Sequence, residues 1–562
     1  MAASALSFIW ATALCVIALC FSSITVAAPS TPEIQFQKGS TGIFPSLINV
    51  TTEDLAFGLD SGRFTSVDLV KAYLSRIEEV NPTMNVVTEV NPDAIAIAEE
   101  LDNERKEGKT RGPLHGIPIL IKNNIATFDK MNNTAGSYAL LGATVPRDSG
   151  VAAKLRAAGV VILGKANLSQ WANGRCTNAP SGWSALGGQV FGAYYAKQAP
   201  SGSSSGSAVA SALGLALATL GTETSASILS PSEVNNVVGI KPTVGLTSRS
   251  LVIPISQRQD TVGPMARTVK DAAYLLSAIA GKDENDNYTS AIPYDPLPDY
   301  VAACNPSAFL GARIGIPRNG IPKGGMVNPI LAAFEAAIAL MTTAGATVID
   351  NANFPAGDEY AGNGNDTIVL DADFVSDLPN LYFSKLVENP NNITSLSDLV
   401  AYTRADPREE YPARNTRKWD GALRRGIDNT SPEAWAAYQV NLFLGGPGGV
   451  LGALEKDDLD ALILPTAFAP GLPALVGYPV VTVPLGFYPP DTPVHSAGWG
   501  QVKVGPNIPF GISFLGRPWS ETTLIALAYA FEQRTLVRNR VQPYITPVTE
   551  VVVRPAKVVP AE

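Results

Sequence analysis

Residues 116–124 have the sequence Gly-Ile-Pro-Ile-Leu-Ile-Lys-Asn-Asn. The apolar run 117–121 lies between a glycine and three polar residues, which is typical of a buried strand with Lys122 at its exit. Helical spacing follows over about 150–158, and a second apolar run, 160–163, comes directly after Gly159. This alternation of strand and helix patterns predicts an α/β fold.

Helix-start patterns precede this region. Thr51 and Thr65 each begin a capping-box sequence, with an aspartate three residues later, and therefore predict the first turns of two helices. The second helix carries apolar residues at helical spacing and should end at Asn81-Pro82. A third helix is predicted over 93–105, and a helix rich in small residues over 208–220.

The composition favours a protein with a large buried core. The chain has 562 residues, of which 46% are hydrophobic and 16% charged, and its mean hydropathy is +0.12. A net charge of −9 gives no general attraction to nucleic acid or anionic lipid, so we expect no nucleic-acid partner and small neutral substrates. Length alone leaves one large domain or two open.

The N-terminus predicts a secretory leader. An apolar run extends from Phe8 to Phe21, and Val26-Ala27-Ala28 follows as a small-residue cleavage pattern. We therefore expect a signal peptide over 1–28, an N-terminal extension over 29–49, an extracellular location and no stable membrane partner after cleavage. The segment before the apolar run lacks Lys and Arg, which leaves a retained membrane anchor as the alternative.

Cysteines and glycosylation sequons also provide evidence on whether the protein is secreted. Two of the four cysteines fall in the leader, so only Cys176 and Cys304 remain, which excludes a disulfide framework but leaves one bridge open. Asn-x-Ser/Thr sequons favour a secreted glycoprotein. They begin at Asn49, Asn132, Asn167, Asn287, Asn365, Asn392 and Asn429.

Two stretches are expected to be surface insertions. The Gly, Pro and Asn content rises near 282–325 and again near 355–430, and four of the sequons fall there. A strand pattern resumes at 460–465, which argues against these stretches being linkers between domains. We expect the sequons at Asn365, Asn392 and Asn429 to lie in loops.

Histidine chemistry is disfavoured. The two histidines, His115 and His495, have no second ligand at metal spacing, so a histidine triad or a histidine zinc site is poorly supported and no metal is expected. Residues 159–165 come close to a phosphate-binding loop, but Ala166 replaces the Ser or Thr that binds magnesium.

Two serine-rich motifs offer a different chemistry. The Ser/Gly cluster 201–207 leads directly into the predicted helix, and a second turn, 221–228, packs hydroxyl residues beside an apolar segment. A nucleophilic serine needs a base, and with histidine scarce the candidates are Lys, Asp or Glu. A buried lysine qualifies if desolvation leaves it neutral.

Three motifs together resemble the amidase signature family, including peptide amidases. They are Gly112-Pro-Leu-His-Gly-Ile-Pro-Ile-Leu-Ile-Lys-Asn-Asn124, Gly202-Ser-Ser-Ser-Gly-Ser-Ala208 and Gly221-Thr-Glu-Thr-Ser-Ala-Ser-Ile228. The resemblance spans about 50–535 and is supported by further motifs in the same order along the chain. These are 164–171, 239–243, 260–264, 477–486 and 511–516.

The resemblance implies the amidase signature fold, in which α-helices surround a mixed β-sheet core. It implies one domain over 50–545, followed by a C-terminal tail over 546–562. It also implies a Ser-cisSer-Lys triad that needs no metal or organic cofactor, with Lys122 as base, Ser203 as proton relay and Ser227 as nucleophile.

The family's other site residues carry over in the same way. Backbone amides of Thr224, Ser225, Ala226 and Ser227 would form the oxyanion hole. Ala172 and Asn173 would lie near the substrate. These residues define a site for a small-molecule amide but do not identify its acyl group.

The implied function is hydrolysis of a carboxamide to a carboxylate and ammonia or amine through an acyl-enzyme. Two alternatives stay open: a component like those of the glutamyl-tRNA amidotransferases, and an inactive binding protein of the same fold. Oligomeric state is not predicted.

Three positions depart from the family pattern. Asn123 stands where the family usually has an acid, which should make neutral Lys122 easier to reach. Ser225-Ala226 stand where glycines are common, so a positive φ at Ala226 would be strained. Gln170 replaces a frequent Glu. None of these changes removes a group of the implied triad.

Overall fold

The computed structural model describes residues 44–322, 327–361 and 363–555. The predicted signal peptide and most of the predicted N-terminal extension lie outside these residues, as does the end of the predicted tail. From Pro45 onward the described residues belong to one compact unit. Across the described ranges, no helix combines the length and apolarity needed to cross a membrane.

Strands occur along the whole described chain. In chain order they are β1 (Val87–Val90), β2 (Pro118–Lys122), β3 (Val161–Ala166), β4 (Trp183–Ser184), β5 (Gly188–Gln189), β6 (Ala218–Glu223), β7 (Val238–Lys241), β8 (Thr261–Ala266), β9 (Arg313–Ile316), β10 (Thr347–Asp350), β11 (Ala461–Pro465), β12 (Val480–Phe487), β13 (His495–Gly498), β14 (Gln501–Val504) and β15 (Pro509–Leu515).

Eleven of these strands form one sheet in the order β1-β3-β2-β6-β8-β7-β12-β15-β11-β9-β10. β2 runs parallel to both β3 and β6, whereas β6 and β8 are antiparallel. The sheet is therefore mixed, which confirms the predicted α/β architecture. β4 pairs with β5, and β13 with β14, as separate two-stranded sheets.

Helices surround the sheet. In chain order the α-helices are α1 (Thr52–Asp60), α2 (Ser66–Met84), α3 (Ala94–Lys106), α4 (Gly150–Ala157), α5 (Ser205–Leu213), α6 (Leu229–Val234), α7 (Val269–Ile279), α8 (Asn328–Thr343), α9 (Gly357–Ala361), α10 (Asn365–Asp377), α11 (Leu396–Ala405), α12 (Arg417–Arg425), α13 (Pro432–Gly445), α14 (Leu451–Lys456), α15 (Gly471–Val476) and α16 (Glu521–Thr535).

Both predicted capping boxes form. Thr51 and Thr65 each accept a hydrogen bond from the backbone of the aspartate three residues on, and that aspartate binds back to the cap. The predicted end of the second helix is wrong by two residues, because Pro82 lies inside the last turn of α2. The helix ends instead where Asn85 adopts the left-handed conformation at φ 51°.

The predicted helix over 208–220 is also wrong at its C-terminal end. α5 stops at Leu213 because Gly214 takes a left-handed φ of 61°. Residues 218–223 form β6, where the Thr219 side chain donates to the backbone oxygen of Ser207. Small residues fit either element, and here the pairing of β6 with β2 and β8 favours the strand.

The stretches expected to be surface insertions contribute to the core. The first one supplies β9, a strand of the main sheet. The second contains α9 to α12, and its Trp419 and Tyr382 belong to one buried cluster with Trp171. Asn365 begins α10, so the expectation that it lies in a loop is wrong. These stretches therefore form packed structure beside the sheet.

The chain termini of the described part meet on α2. The buried Arg76 guanidinium donates to the Thr549 backbone oxygen at 2.7 Å, and Glu550 accepts from the Leu47 amide at 2.7 Å. The start of the predicted tail is thus tied to the folded unit. Cys176 and Cys304 are both free thiols.

Candidate active site

Two adjacent parallel strands position the lysine of the site. Ile121 of β2 aligns with Leu220 of β6, so Lys122, the last residue of β2, lies beside Thr222. Lys122 is thus the last residue of the strand, in agreement with its predicted place at the strand's exit. β2 and β6 are separated by about a hundred residues of sequence, and only the sheet brings them together.

The serine cluster approaches the same point from the start of α5. The peptide bond between Gly202 and Ser203 is cis. Lys122 Nζ lies 2.8 Å from Ser203 Oγ and 2.9 Å from Ser204 Oγ. It also lies 2.8 Å from Thr222 Oγ1 and 3.1 Å from the Thr222 backbone oxygen. Among the described residues, all of its hydrogen-bond partners are therefore hydroxyl or carbonyl oxygens.

This environment favours a neutral lysine. The Lys122 side chain is fully buried, and burial lowers its pKa to about 7, although the more distant carboxylates of Asp260 and Glu223 partly oppose this. A carboxylate in direct contact would have held the ammonium form. The Asn123 side chain donates to Thr88 of β1 and accepts from the Thr134 amide, so it joins the loop at Thr134 to the strand and is not hydrogen-bonded to Lys122.

Ser227 lies in a turn organised by one carboxylate. Glu223 accepts hydrogen bonds from the backbone amides of Ala226 at 2.9 Å, Ile228 at 2.6 Å and Leu229 at 3.0 Å. Ser204 N donates to the Ser227 backbone oxygen at 3.1 Å. The turn and the Ser203 segment are thereby joined, with the Ser203 and Ser227 side chains both buried.

The oxyanion-hole prediction needs one correction. The Ala226 amide donates to Glu223, so it is not free to bind an oxyanion in this structure. Ala226 has a φ of 67°, the positive value that the sequence analysis considered for this position. It therefore lies in the left-handed region, which non-glycine residues seldom occupy. Thr224, Ser225 and Ser227 remain as amide donors of the predicted hole.

The predicted substrate-lining residues lie in an unusual turn. Trp171, Ala172 and Asn173 have φ values of 53°, 49° and 69°, three consecutive left-handed residues without a glycine. Ala172 shares a small cavity with Thr222 and Thr224. Just before the turn, Ser169 N donates to the Ser203 backbone oxygen at 3.0 Å. The turn is therefore next to both Ser203 and the hydroxyl groups that surround Lys122.

Several residues of the site were missed by the sequence interpretation. Thr222 and Ser204 lie inside the recognised motifs, and their hydroxyls were the available signal. Glu223 and Asp260 also fall within motifs, and Asp260 accepts from the Thr224 hydroxyl at 2.6 Å. Glu409, which binds Gln170 through its carboxylate, had no local signal because it is 239 residues further along the chain.

The histidines lie away from this site. His115 is buried with Nε2 2.9 Å from the Leu101 backbone oxygen, and His495 is exposed on β13. Over the ranges that the structure covers, no group of three or more His, Cys, Asp or Glu side chains is placed to hold a metal ion.

Comparisons with known proteins agree with this geometry. Residues 68–525 match the family model described as Amidase. A protein of Arthroderma benhamiae named as an amidase is 54% identical over 528 residues, covering 90% of this chain and 89% of its own. A chain of the glutamyl-tRNA(Gln) amidotransferase of Chloroflexus aurantiacus is 32% identical, covering 87% of this chain and 97% of its own.

Solved structures show the same fold. The native peptide amidase of Stenotrophomonas maltophilia superposes with a TM-score of 0.79 at 37% sequence identity. The match covers 90% of this chain and all of the other. The predicted fold, with its mixed sheet and surrounding helices, is thereby confirmed.

Proposed function

Because the chain belongs to the amidase signature family and is a serine amidase that hydrolyses carboxamide C–N bonds, we propose that Ser227 carries the acyl group while Ser203 and Lys122 activate it. The observation that carries this proposal is the contact between the buried Lys122 Nζ and Ser203 Oγ, at 2.8 Å. Among the residues that the structure describes, each hydrogen-bond partner of this nitrogen is a hydroxyl or carbonyl oxygen. That arrangement supplies a neutral amine as a base.

The first step forms the acyl–oxygen bond. Ser227 Oγ attacks the amide carbonyl carbon and gives its proton to Ser203, which passes its own proton to Lys122. The carbonyl electron pair moves onto oxygen, where free backbone amides of the 224–227 turn donate hydrogen bonds to it. Lys122 ends this step as an ammonium group.

The second step breaks the C–N bond. Lys122 returns its proton to Ser203, and Ser203 donates a proton to the departing nitrogen. The products are the acyl-enzyme and a neutral amine or ammonia, with Lys122 neutral again. Water then replaces the amine and loses its proton along the same path, and collapse of that intermediate releases the carboxylic acid and restores the Ser227 hydroxyl.

We propose that water accepts the acyl group and that the amide nitrogen is released, and not transferred to a tRNA-bound group. The net charge of −9 gives no general attraction to RNA. The leader pattern supports the related proposal that the protein is secreted. Exposed sequons at Asn287 and Asn392 support glycosylation, whereas Asn167 is fully buried.

We propose a small-molecule amide as the substrate. The similarity to peptide amidase structures makes peptide amides the first class to test, beside aliphatic and aryl amides. Release of ammonia or amine by the purified protein from such a panel identifies the class.

The assignment of the nucleophile is tested by covalent labelling. A fluorophosphonate should modify Ser227, and Ser227→Ala should lose both labelling and amide hydrolysis. Ser225→Ala is the matched control, because Ser225 lies in the same turn with an exposed side chain and keeps its backbone amide. An adduct mapped by mass spectrometry to another serine of the active protein would refute the assignment.

A further inference from the structure

The turn at Trp171–Asn173 is held in a costly conformation. A left-handed conformation is unfavourable for a non-glycine residue, and three such residues follow one another here. Such conformations persist only where the surroundings fix them, and they concentrate at functional sites. What fixes this turn is therefore informative about the site.

Besides the hydrogen bond from the Trp171 amide to the Ala135 backbone oxygen at 3.0 Å, two contacts that hold the turn come from the segment that follows α11. Lys418 Nζ donates to the Asn173 backbone oxygen at 2.6 Å. The ring of Trp419 meets that of Trp171 edge-on, with centroids 5.9 Å apart. Both partners lie in α12. A region distant in sequence thus shapes a wall next to Ser203 and Thr222.

The same two parts of the chain are also joined by a fully buried ion pair. Glu409 Oε2 lies 2.7 Å from Arg175 Nη1, and neither side chain is exposed. Arg175 also donates to the Glu409 and Arg414 backbone oxygens. The other carboxylate oxygen, Oε1, accepts from the Ser137 hydroxyl and the Tyr138 amide. All the polar capacity of this carboxylate is used.

Gln170 completes the arrangement as a neutral bridge. Its amide oxygen accepts from Arg175 Nη1 at 2.6 Å, and its amide nitrogen donates to Glu409 Oε2 at 2.7 Å. Gln170 directly precedes the left-handed turn. A glutamate at this position would place a second carboxylate against Glu409 with a single arginine to neutralise both. Gln170 and Glu409 are thus complementary in charge and in hydrogen bonding, since one is a neutral amide and the other a carboxylate paired with Arg175.

We propose that Glu409 is a positioning residue for the Trp171–Asn173 wall, and that its pairing with Gln170 sets which acyl groups the enzyme accepts. This inference rests on the proposed function, because it takes the acyl group to lie on Ser227. Glu409 acts through Gln170 and Arg175 and takes no part in bond making.

The charges of the pair can be exchanged. In the double variant Gln170→Glu with Glu409→Gln, the new amide oxygen still accepts from Ser137 and Tyr138, and the new amide nitrogen donates to the new carboxylate. Arg175 Nη1 loses its acceptor at residue 409 but keeps its contact with residue 170, which now carries the neutralising charge. Each single change instead breaks the match. Glu409→Gln leaves a buried arginine without an anion, and Gln170→Glu adds an uncompensated one.

The readout is acyl selectivity, measured as the ratio of kcat/KM for phenylacetyl and acetyl p-nitroanilides. The shared leaving group and shared chemistry cancel in this ratio. Active sites are counted by fluorophosphonate titration, so misfolded protein does not contribute. Glu410→Gln is the matched control, because it removes the neighbouring carboxylate, which is 48% exposed and lies 3.5 Å from Arg414 Nε.

We expect each single variant to change the ratio at least tenfold, the double variant to restore it to within about threefold, and Glu410→Gln to leave it unchanged. Lys418→Met loosens the wall without touching the buried pair and should shift the ratio in the same direction. Lys418→Met therefore tests the proposal even if Gln170→Glu or Glu409→Gln does not fold. Ratios within twofold of wild type in Gln170→Glu and Lys418→Met, or no restoration in the double variant, would overturn the proposal. Loss of labelling at Ser227 in the wild type would instead overturn the proposed function.

Discussion

The pH dependence of kcat/KM tests the base directly. Burial lowers the pKa of Lys122 to about 7, and the base must be neutral in the free enzyme. Below pH 7 the neutral fraction falls tenfold per pH unit, so at pH 5 we expect about 1% of the plateau value. A lysine with its ordinary pKa near 10.5 would instead give a rate still rising at pH 9.

Lys122→Ala should remove the rising limb of the pH profile, which is the increase of kcat/KM between pH 5 and 7. It should also lower kcat/KM by about 10² to 10⁴-fold, the usual contribution of general base catalysis. The chain offers a matched control in Lys165, on the adjacent strand β3. Burial lowers its pKa to about 7 as well, but its Nζ donates to the Ile125 backbone oxygen and to Asn133 and does not reach Ser203.

The assay is the initial rate on one amide from pH 5 to 9, normalised to titrated active sites. Lys165→Met should keep the limb, with its midpoint near 7. A limb that survives in Lys122→Ala and disappears in Lys165→Met would refute the assignment of the base. An unchanged profile in both variants would move the titration to a different group.

Three further outcomes are expected. Ser203→Ala should depress amide hydrolysis by about 10² to 10⁴-fold and hydrolysis of the matching nitrophenyl ester much less, since only the amide nitrogen must be protonated to leave; equal losses in steady-state rates would exclude Ser203 as the proton donor. Ala226→Gly should raise the free energy of unfolding in urea by up to about 1 kcal/mol, because it relieves the positive φ, and a destabilised variant would contradict that reasoning. Glycopeptide mapping of the protein expressed through the secretory pathway of a eukaryotic host should find glycan on Asn392 and none on Asn167, whose amide donates to the backbone oxygens of Asn85 and Gly187; substantial occupancy at Asn167 in active protein would mean that this motif is misplaced.

What the sequence could predict was local. The apolar run before Lys122 and the small-residue motif around Ser203 are each contiguous in sequence, so their local elements could be anticipated. The meeting of Lys122 and Ser203, which are 81 residues apart, was implied only by the resemblance to the family. The sequence predicts a helix over 208–220 and a turn from 221, whereas the structure begins a strand at Ala218. Alanine, leucine and threonine fit both elements, and the choice depends on neighbouring strands far along the chain.

The remaining features depend on contacts that no local pattern reports. Glu223 accepts a hydrogen bond from the Ala226 amide because the turn folds back on the strand that precedes it. The order of residues does not specify this conformation. Glu409 reaches Gln170 across 239 residues, from a stretch whose Gly, Pro and Asn content indicated surface loops.

The shared hydrogen bond between Gln170 and Glu409 constrains how relatives can diverge. A lineage that passes from the glutamine–glutamate pair to the reverse pair must first carry either two acids or two amides around one buried arginine, and both intermediates are disfavoured. The two positions should therefore change together or not at all. Exchange between relatives of the segment that carries residue 409 should succeed only where one of residues 170 and 409 is an amide and the other an acid.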